Sequence, residues 1–172
     1  LAGEIIESFQ ALGECDFVRD VGHVYPSIIF LKIMGMPLDK LPEFMEWEDQ
    51  ILRTLDEDDP DNTVRIGAMG AVTAYFSELI TERRANPDPD AQDVVSAALT
   101  WEIDGEPIRD DEVLNCLLLL FLAGLDTVAA QFSYTMLHLA THLEDRMRLV
   151  QSPELIPHAV EEMMRAYPVV QT

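Results

Sequence analysis

The sequence is poor in basic residues and in cysteine. Its 172 residues include 11 lysines and arginines against 32 aspartates and glutamates, which gives a formal net charge of −21. Nucleic acid and anionic membranes repel such a polyanion, so we expect neither as a partner. The two cysteines, Cys15 and Cys116, are too few for a disulfide framework and are typical of a reducing compartment. We therefore expect a cytoplasmic protein.

The sequence also lacks a long hydrophobic run and clear strand patterns. Its most apolar stretch, residues 116–125, is much shorter than the roughly 20 residues that cross a bilayer. Glu4 and Glu7 stand where a signal peptide would be basic, so no targeting segment is predicted. Only residues 100–103 suggest an edge strand. Hydrophobic residues make up 48% of the chain, which is enough to form a core, and we predict an all-α globular fold.

Apolar residues recur at helical spacing along almost the whole chain. We predict helices from Ile5 to Gly13 and over residues 25–34, 41–55, 64–84, 94–99, 144–150 and 156–166. The acidic stretch 56–62 is predicted to be a solvated loop, and 103–107 a turn signalled by Asp104 and Gly105. The longest predicted helix starts at Asp110 and continues to about Leu143. At roughly 30 residues it implies a long central helix that crosses the molecule.

Within this central helix lies the sequence Ala123-Gly124-Leu125-Asp126-Thr127. Gly124 costs about 1 kcal/mol relative to alanine in a helix interior. Asp126 has only apolar neighbours on its own helix, where a buried carboxylate is expensive, and Thr127 can donate a hydrogen bond back to the Ala123 carbonyl. Ala123, Gly124 and Thr127 share a face of small residues on which something flat could lie, beside a hydroxyl and a carboxylate that can pass protons. A close helix crossing with a distant arginine on Asp126 explains the pattern equally well.

A second motif, Glu162-Met163-Met164-Arg165, lies on the last predicted helix. Glu162 and Arg165 are three residues apart, which permits an ion pair on one helix surface. Such pairs are common and contribute little when they are exposed, so the motif alone does not indicate a function.

Together, in this order and at this separation, the two motifs resemble the cytochrome P-450 superfamily of haem-thiolate monooxygenases. Residues 133–157 are also similar to the family, as are the upstream sequences Glu14-Cys15-Asp16-Phe17 and Gly35-Met36-Pro37. The similarity is greatest to soluble bacterial members that hydroxylate small terpenoids, such as the camphor hydroxylase. The resemblance implies a haem cofactor, a ferredoxin-type electron donor, and insertion of one oxygen atom of O2 into a small hydrophobic substrate.

The resemblance also implies roles for individual residues. Asp126 and Thr127 would be catalytic, since the family's motif relays protons to dioxygen on the haem iron. The other implied site residues are Ala123, Gly124 and Thr127 against the haem, Leu119, Leu122, Val169 and Val170 in the substrate pocket, and Glu162 with Arg165 as a structural pair.

The axial cysteine loop of the family is absent from this sequence. Cys15 does not match its pattern, and Cys116 is roughly 16 Å along the helix from Thr127, too far to face it across one haem. We therefore expect no metal ligand within the chain. Residues 1–172 are expected to be the interior helical portion of a P-450 domain, without its N-terminal part and its C-terminal haem-cysteine loop. Alone, this portion is not expected to bind haem normally.

Two other interpretations stay open at the level of the sequence. A non-catalytic all-helical ligand-binding or interaction module could bury a similar apolar pocket, and Asp126 with Thr127 is the feature that separates it from an oxygenase. His138 and His142 are four residues apart and could hold a metal, although capping or solvent-facing histidines are the more common outcome.

Overall fold

The computed structural model describes residues 1–55 and 57–170, and helices dominate it. The helices are α1 (Ala2–Gln10), α2 (Val24–Met34), α3 (Leu41–Leu52), α4 (Thr63–Ala85), α5 (Val94–Ala98), α6 (Asp110–Gly124), α7 (Asp126–Thr141), α8 (Leu143–Gln151) and α9 (Ile156–Ala166). A π-helical turn at Val18–Gly22 precedes α2, and 3₁₀ turns at Leu38–Lys40 and Pro153–Leu155 precede α3 and α9. The predicted all-α class is confirmed.

The predicted turn at 103–107 is a small antiparallel hairpin of β1 (Glu102–Ile103) and β2 (Glu106–Pro107). Its two loop residues, Asp104 and Gly105, have φ values of 55° and 83°. Positive φ at both positions is the requirement of a type I′ turn, which Asp-Gly meets. The suggested edge strand at 100–103 is therefore present in its second half, paired within the hairpin.

The predicted central helix is present as two helices with one interruption, and it ends at Thr141 instead of at about Leu143. α6 ends at Gly124 and α7 begins at Asp126, with Leu125 between them at φ −94° and ψ −69°. Glycine is a poor helix former, so the interruption falls where the sequence sustains a helix least.

Taken as one stretch, Asp110–Thr141 is long and apolar enough to cross a membrane by length and composition alone. Its most apolar 18-residue window has a mean hydropathy of 2.1 and is 28% buried. Core helices of soluble proteins pass the same test, so this is weak evidence for a span. This stretch is longer than residues 116–125, the most apolar run, whose length alone spoke against a span.

The chain forms two compact units. Unit 1 comprises Leu1–Pro26 and Asp126–Thr172, and unit 2 comprises Ser27–Leu125. The core of unit 2 surrounds Phe44 of α3, which is fully buried. Its ring meets Tyr75, Phe76 and Phe121 edge-on at centroid distances of 5.0, 6.1 and 5.7 Å. Each such pair adds about 0.5–1.5 kcal/mol beyond simple burial, so these rings bind α3, α4 and α6 together.

Arg83, near the end of α4, joins three segments of unit 2. Its guanidinium donates to the Gly35 carbonyl (2.9 Å), to Asp93 Oδ2 (3.1 Å) and to Ser96 Oγ (2.8 Å). Asp93 caps α5 by accepting the Ser96 N–H at 2.8 Å. Burial opposes ionisation of Asp93, but the Ser96 and Arg83 donors outweigh it and lower its pKa. Gly35 has φ 70°, and a side chain there would overlap Asp93, so only glycine fits.

The acidic stretch between α3 and α4 is not simply solvated. Asp59 is 3% exposed and accepts the N–H groups of Val64 (3.1 Å) and Arg65 (3.2 Å) and the hydroxyl of Thr63 (3.1 Å). Burial disfavours its charge, but these hydrogen bonds lower its pKa below the usual range. The prediction of a solvated loop is thus wrong for Asp59, which caps α4. Asp56 of the same stretch lies outside the described residues.

Unit 1 packs its N-terminal segment against α7. Phe17 meets Phe132 edge-on at a centroid distance of 5.1 Å. Gly22, at the end of the π-helical turn, lies so close to α7 that an added Cβ would be 2.8 Å from Ser133 Oγ. α9 is tied to α7 by the side chain of Gln131, whose Nε2 donates to the Met163 carbonyl at 3.2 Å.

Candidate functional site

α6 has one face that is buried in the core and another that is accessible to solvent. Val113, Leu117 and Phe121 recur every four residues and are buried in the core of unit 2. Leu119 and Ala123 lie on another face, where Leu119 is 67% exposed and Ala123 is also exposed. The partly buried Leu122 adjoins this face and packs against the core. α6 therefore presents an apolar surface that the described residues of unit 2 leave accessible.

Gly124, the last residue of α6, is in close contact with α2. A Cβ at this position would lie 2.7 and 2.8 Å from two ring carbons of Phe30, closer than packed atoms approach. The glycine thus permits Phe30 to pack against the backbone of α6. This contact explains the glycine within unit 2, whereas the sequence pattern suggested a flat ligand.

Asp126 and Thr127 are the first two residues of α7 and belong to unit 1. The sequence placed Asp126 inside a continuous helix, where a carboxylate is costly. At a helix start the partial positive charge of the backbone favours it, so the cost is smaller than expected. Both residues are partly buried. The bond from Thr127 to the Ala123 carbonyl stays a prediction.

Glu162 and Arg165 form the ion pair that their spacing permits. Arg165 Nε and Nη2 donate to the two carboxylate oxygens of Glu162 at 2.8 and 2.6 Å. The hydrogen bond from Arg165 lowers the pKa of Glu162. Both side chains are more than half exposed, so the pair contributes little to the stability of unit 1 itself. Its predicted supporting role stays a prediction.

The chain leaves α9 through Tyr167, followed by Pro168, Val169 and Val170. Val169 is partly buried, and Val170 is 69% exposed. Tyr167 is held in place by His138 of α7, whose Nδ1 lies 2.8 Å from the tyrosine Oη. This contact is not predictable from local sequence patterns, because the two residues are far apart in the chain.

His138 is also bound on its other ring nitrogen. Its Nε2 lies 3.0 Å from Asp145 Oδ2 of α8, and its ring stacks on His142 at 4.1 Å with nearly parallel planes. The ring of His142 caps the end of α7 through a 3.0 Å bond between its Nδ1 and the His138 carbonyl. Of the two outcomes favoured over a metal pair, capping is thus confirmed for His142. His138 is not solvent-facing, since its side chain is 14% exposed.

Neither cysteine is bonded. Cys15 is exposed and Cys116 is partly buried, and both are free thiols. In residues 1–55 and 57–170 no group of three or more histidine, cysteine or acidic side chains is placed to hold a metal ion.

Unit 1 also contains an apolar cavity of about 440 Å³ between α7, α8 and α9, lined by residues such as Leu139, Leu149 and Met163. None of the residues predicted to contact a substrate lines it. The cavity is therefore separate from the candidate site.

The chain matches a model of the cytochrome P450 family over residues 6–152, from α1 to the end of α8. It is 29% identical over 167 residues to the steroid C26-monooxygenase of Mycobacterium tuberculosis, covering 96% of this chain and 41% of that protein. It is 28% identical over 165 residues to the vitamin D(3) 25-hydroxylase of Pseudonocardia autotrophica, covering 96% and 39%.

Among solved structures, CYP109E1 from Bacillus megaterium in complex with testosterone is similar, with a TM-score of 0.81 and 26% identity. That similarity covers 95% of this chain and 43% of the other. The chain thus spans less than half the length of the relatives that it matches.

Proposed function

Because the chain belongs to the cytochrome P450 family, we propose that the protein containing these residues is a haem-dependent monooxygenase. It inserts one oxygen atom of O2 into a hydrophobic substrate. The observation that supports this function best is the accessible apolar face of α6, which leads along the chain into Asp126 and Thr127. A non-catalytic helical module has no need for a carboxylate and a hydroxyl at the end of such a face.

The residues present fit one side of a haem. A haem is flat and largely apolar, and the uncovered face of α6 offers it the small residue Ala123. Gly124 follows Ala123 at the end of this face, and Phe30 fills the space that a side chain at Gly124 would take. We assign Ala123, Gly124 and Thr127 to haem contact. The chemistry that haem supplies when bound is the reduction of dioxygen at its iron.

Thr127 and Asp126 move the protons that this reduction consumes. The hydroxyl of Thr127 can donate a proton from Oγ1 and regain one through water, while the carboxylate of Asp126 accepts and passes protons from solvent. Their places at the start of α7 suit this task, because a helix start stabilises the charged carboxylate without fully burying it.

The remaining proposed roles follow from position. Leu119 and Leu122 contact the substrate from α6, and Val169 and Val170 do so from the segment after α9. Glu162 and Arg165 support the fold as a structural pair, since their bidentate geometry is formed without any ligand.

The proposed substrate is a small hydrophobic, terpenoid-like compound. The side chains proposed to contact it are leucine and valine, which offer no hydrogen bonds and favour an apolar skeleton. Relatives of the chain are named for action on steroids and vitamin D, both of which are built from isoprenoid units. The sequence similarity to these relatives supports a substrate with a terpenoid-derived skeleton over a fatty acid or an aromatic compound.

The thiolate ligand of the iron is proposed to come from outside these residues. Cys116 lies on α6 itself, one helical turn before Leu119, and Cys15 lies in unit 1 before the π-helical turn. We propose residues 1–172 as the interior part of a single P450 domain. A ferredoxin-type protein is the proposed electron donor, and the cytoplasm, with no membrane contact, is the proposed location.

The test is the substitution Thr127→Ala in the full-length protein, with consumption of reductant and formation of product measured together. We expect reductant use to continue while product per reducing equivalent falls several-fold, because the proton donor is lost. Thr127→Ser keeps the hydroxyl and is the matched control, expected to stay close to the unmodified protein. An unchanged yield in the alanine variant would show that Thr127 does not deliver protons.

A further inference from the structure

The segment proposed to contact substrate follows a residue, Tyr167, that is held by its side chain. Val169 and Val170 follow Pro168, which has no N–H to donate and a fixed φ. The preceding residue, Tyr167, ends α9, with its N–H bonded to the Met163 carbonyl at 2.9 Å. The direction in which the two valines leave the helix therefore depends on how Tyr167 is held.

α7 holds the ring of Tyr167 at two points. Its hydroxyl lies 2.8 Å from His138 Nδ1. Its ring lies nearly parallel to that of Tyr134, with centroids 6.4 Å apart and an interplanar angle of 8°. Tyr134 and His138 are four residues apart and thus lie on one face of α7. This face of α7 therefore contacts Tyr167, at the end of α9, through two side chains.

The tautomer of a neutral His138 ring follows from its other partner. Asp145 in its charged form can only accept, so His138 Nε2 carries the proton that bonds to it at 3.0 Å. In the neutral ring, Nδ1 then accepts the Tyr167 O–H. The stack on His142 and the side-chain exposure of 14% keep the His138 ring from rotating freely.

We propose that His138 and Tyr167 are positioning residues that fix Val169 and Val170 and so set the shape of the substrate pocket. The proposal rests on the function assigned above. Neither residue needs to touch the substrate, because the hydrogen bond acts through Pro168 on the valines that do.

The experiment compares two azoles in the full-length haem protein by optical titration. Imidazole binds the haem iron and is too small to reach far into the pocket, whereas 4-phenylimidazole adds a ring that meets the pocket walls. In Tyr167→Phe, which loses the hydroxyl and keeps the ring, we expect 4-phenylimidazole to bind about threefold to tenfold more weakly. Imidazole binding is expected to stay unchanged.

Variants of His138 provide the matched controls. The side-chain oxygen of His138→Asn can take the place of Nδ1 as acceptor, so this variant is expected to bind both azoles like the unmodified protein. His138→Leu is expected to behave like Tyr167→Phe, and Asp145→Asn, which keeps an acceptor for Nε2–H, like the unmodified protein. Hydrogen exchange of the Tyr167 N–H, which is bonded to the Met163 carbonyl, is expected to accelerate only in the Phe and Leu variants.

Two results would overturn the inference in distinguishable ways. The first is that the ratio of the two azole affinities is unchanged in both Tyr167→Phe and His138→Leu. In that case the contact between His138 and Tyr167 has only a structural role, even if the melting temperature falls. Absence of haem binding in the unmodified full-length protein refutes the proposed function, and this inference with it.

Discussion

The contact between Gly124 and Phe30 predicts a strong energetic coupling between these two residues. Alanine at position 124 would gain up to about 1 kcal/mol from helix propensity. The added methyl would meet the Phe30 ring at 2.7 Å, and such overpacking costs about 1–3 kcal/mol. We expect Gly124→Ala to destabilise unit 2 by about 1 kcal/mol net.

Phe30→Leu removes the ring that causes the clash. Alone it should cost about 1 kcal/mol, because Phe30 is buried and leucine fills less of the space. In the double variant the new methyl occupies part of the vacated volume, so we expect a stability close to that of the unmodified chain. The resulting coupling is about 2 kcal/mol, well above the error of additivity for independent sites.

Urea unfolding followed by tryptophan fluorescence measures these differences. Trp47 and Trp101 are the two tryptophans of the chain and both belong to unit 2, so the signal reports that unit. Gly67→Ala in α4 is the control, because a Cβ there meets nothing within 4 Å and should stabilise by up to about 1 kcal/mol. If Gly124→Ala stabilises as Gly67→Ala does, or if the coupling is absent, Phe30 does not explain the glycine.

Two further predictions concern the contacts that Arg83 makes with Gly35, Asp93 and Ser96. Because the pKa of Asp93 is lowered in the folded chain, its stabilising effect is complete above the unfolded pKa of about 4 and disappears as the pH falls through the folded value. The stability difference between the unmodified chain and Asp93→Asn in urea titrations should therefore shrink on acidification, and a difference that grows would contradict this reasoning. Gly35→Ala should cost about 2–4 kcal/mol of unfolding free energy, since it adds displacement of Asp93 to the penalty of a positive φ. Gly105→Ala, at φ 83° in open space, should cost only about 1–2 kcal/mol, and equal losses at both positions would refute the steric part.

Local patterns in the sequence predicted the helices well, because each depends on neighbours along the chain. The helical spacing of apolar residues placed α3, α4 and α9 to within three residues. The end of α3 was predicted three residues too late, since Leu55 extends the apolar pattern beyond the last helical hydrogen bonds.

The features that the sequence did not predict depend mainly on contacts between residues that are far apart in the chain. The sequence correctly marked Gly124 as unusual within a helix. Its contact Phe30 lies on another helix, so the residues around Gly124 in the sequence do not indicate it. The bond between His138 and Tyr167 was missed for the same reason. Asp126 looked costly only because the break at Leu125 was not foreseen, and that break converts a helix interior into a helix start.

The division of the chain into two units has a consequence for the order of folding during synthesis. Unit 2 is one continuous segment, so it can fold as soon as Leu125 has left the ribosome. Unit 1 combines Leu1–Pro26 with Asp126–Thr172. The rings of Phe17 and Phe132 can therefore pack only after Phe132 has been synthesised. Until then Phe17 has no Phe132 to pack against, so the part of unit 1 that is synthesised first stays incompletely packed while unit 2 folds.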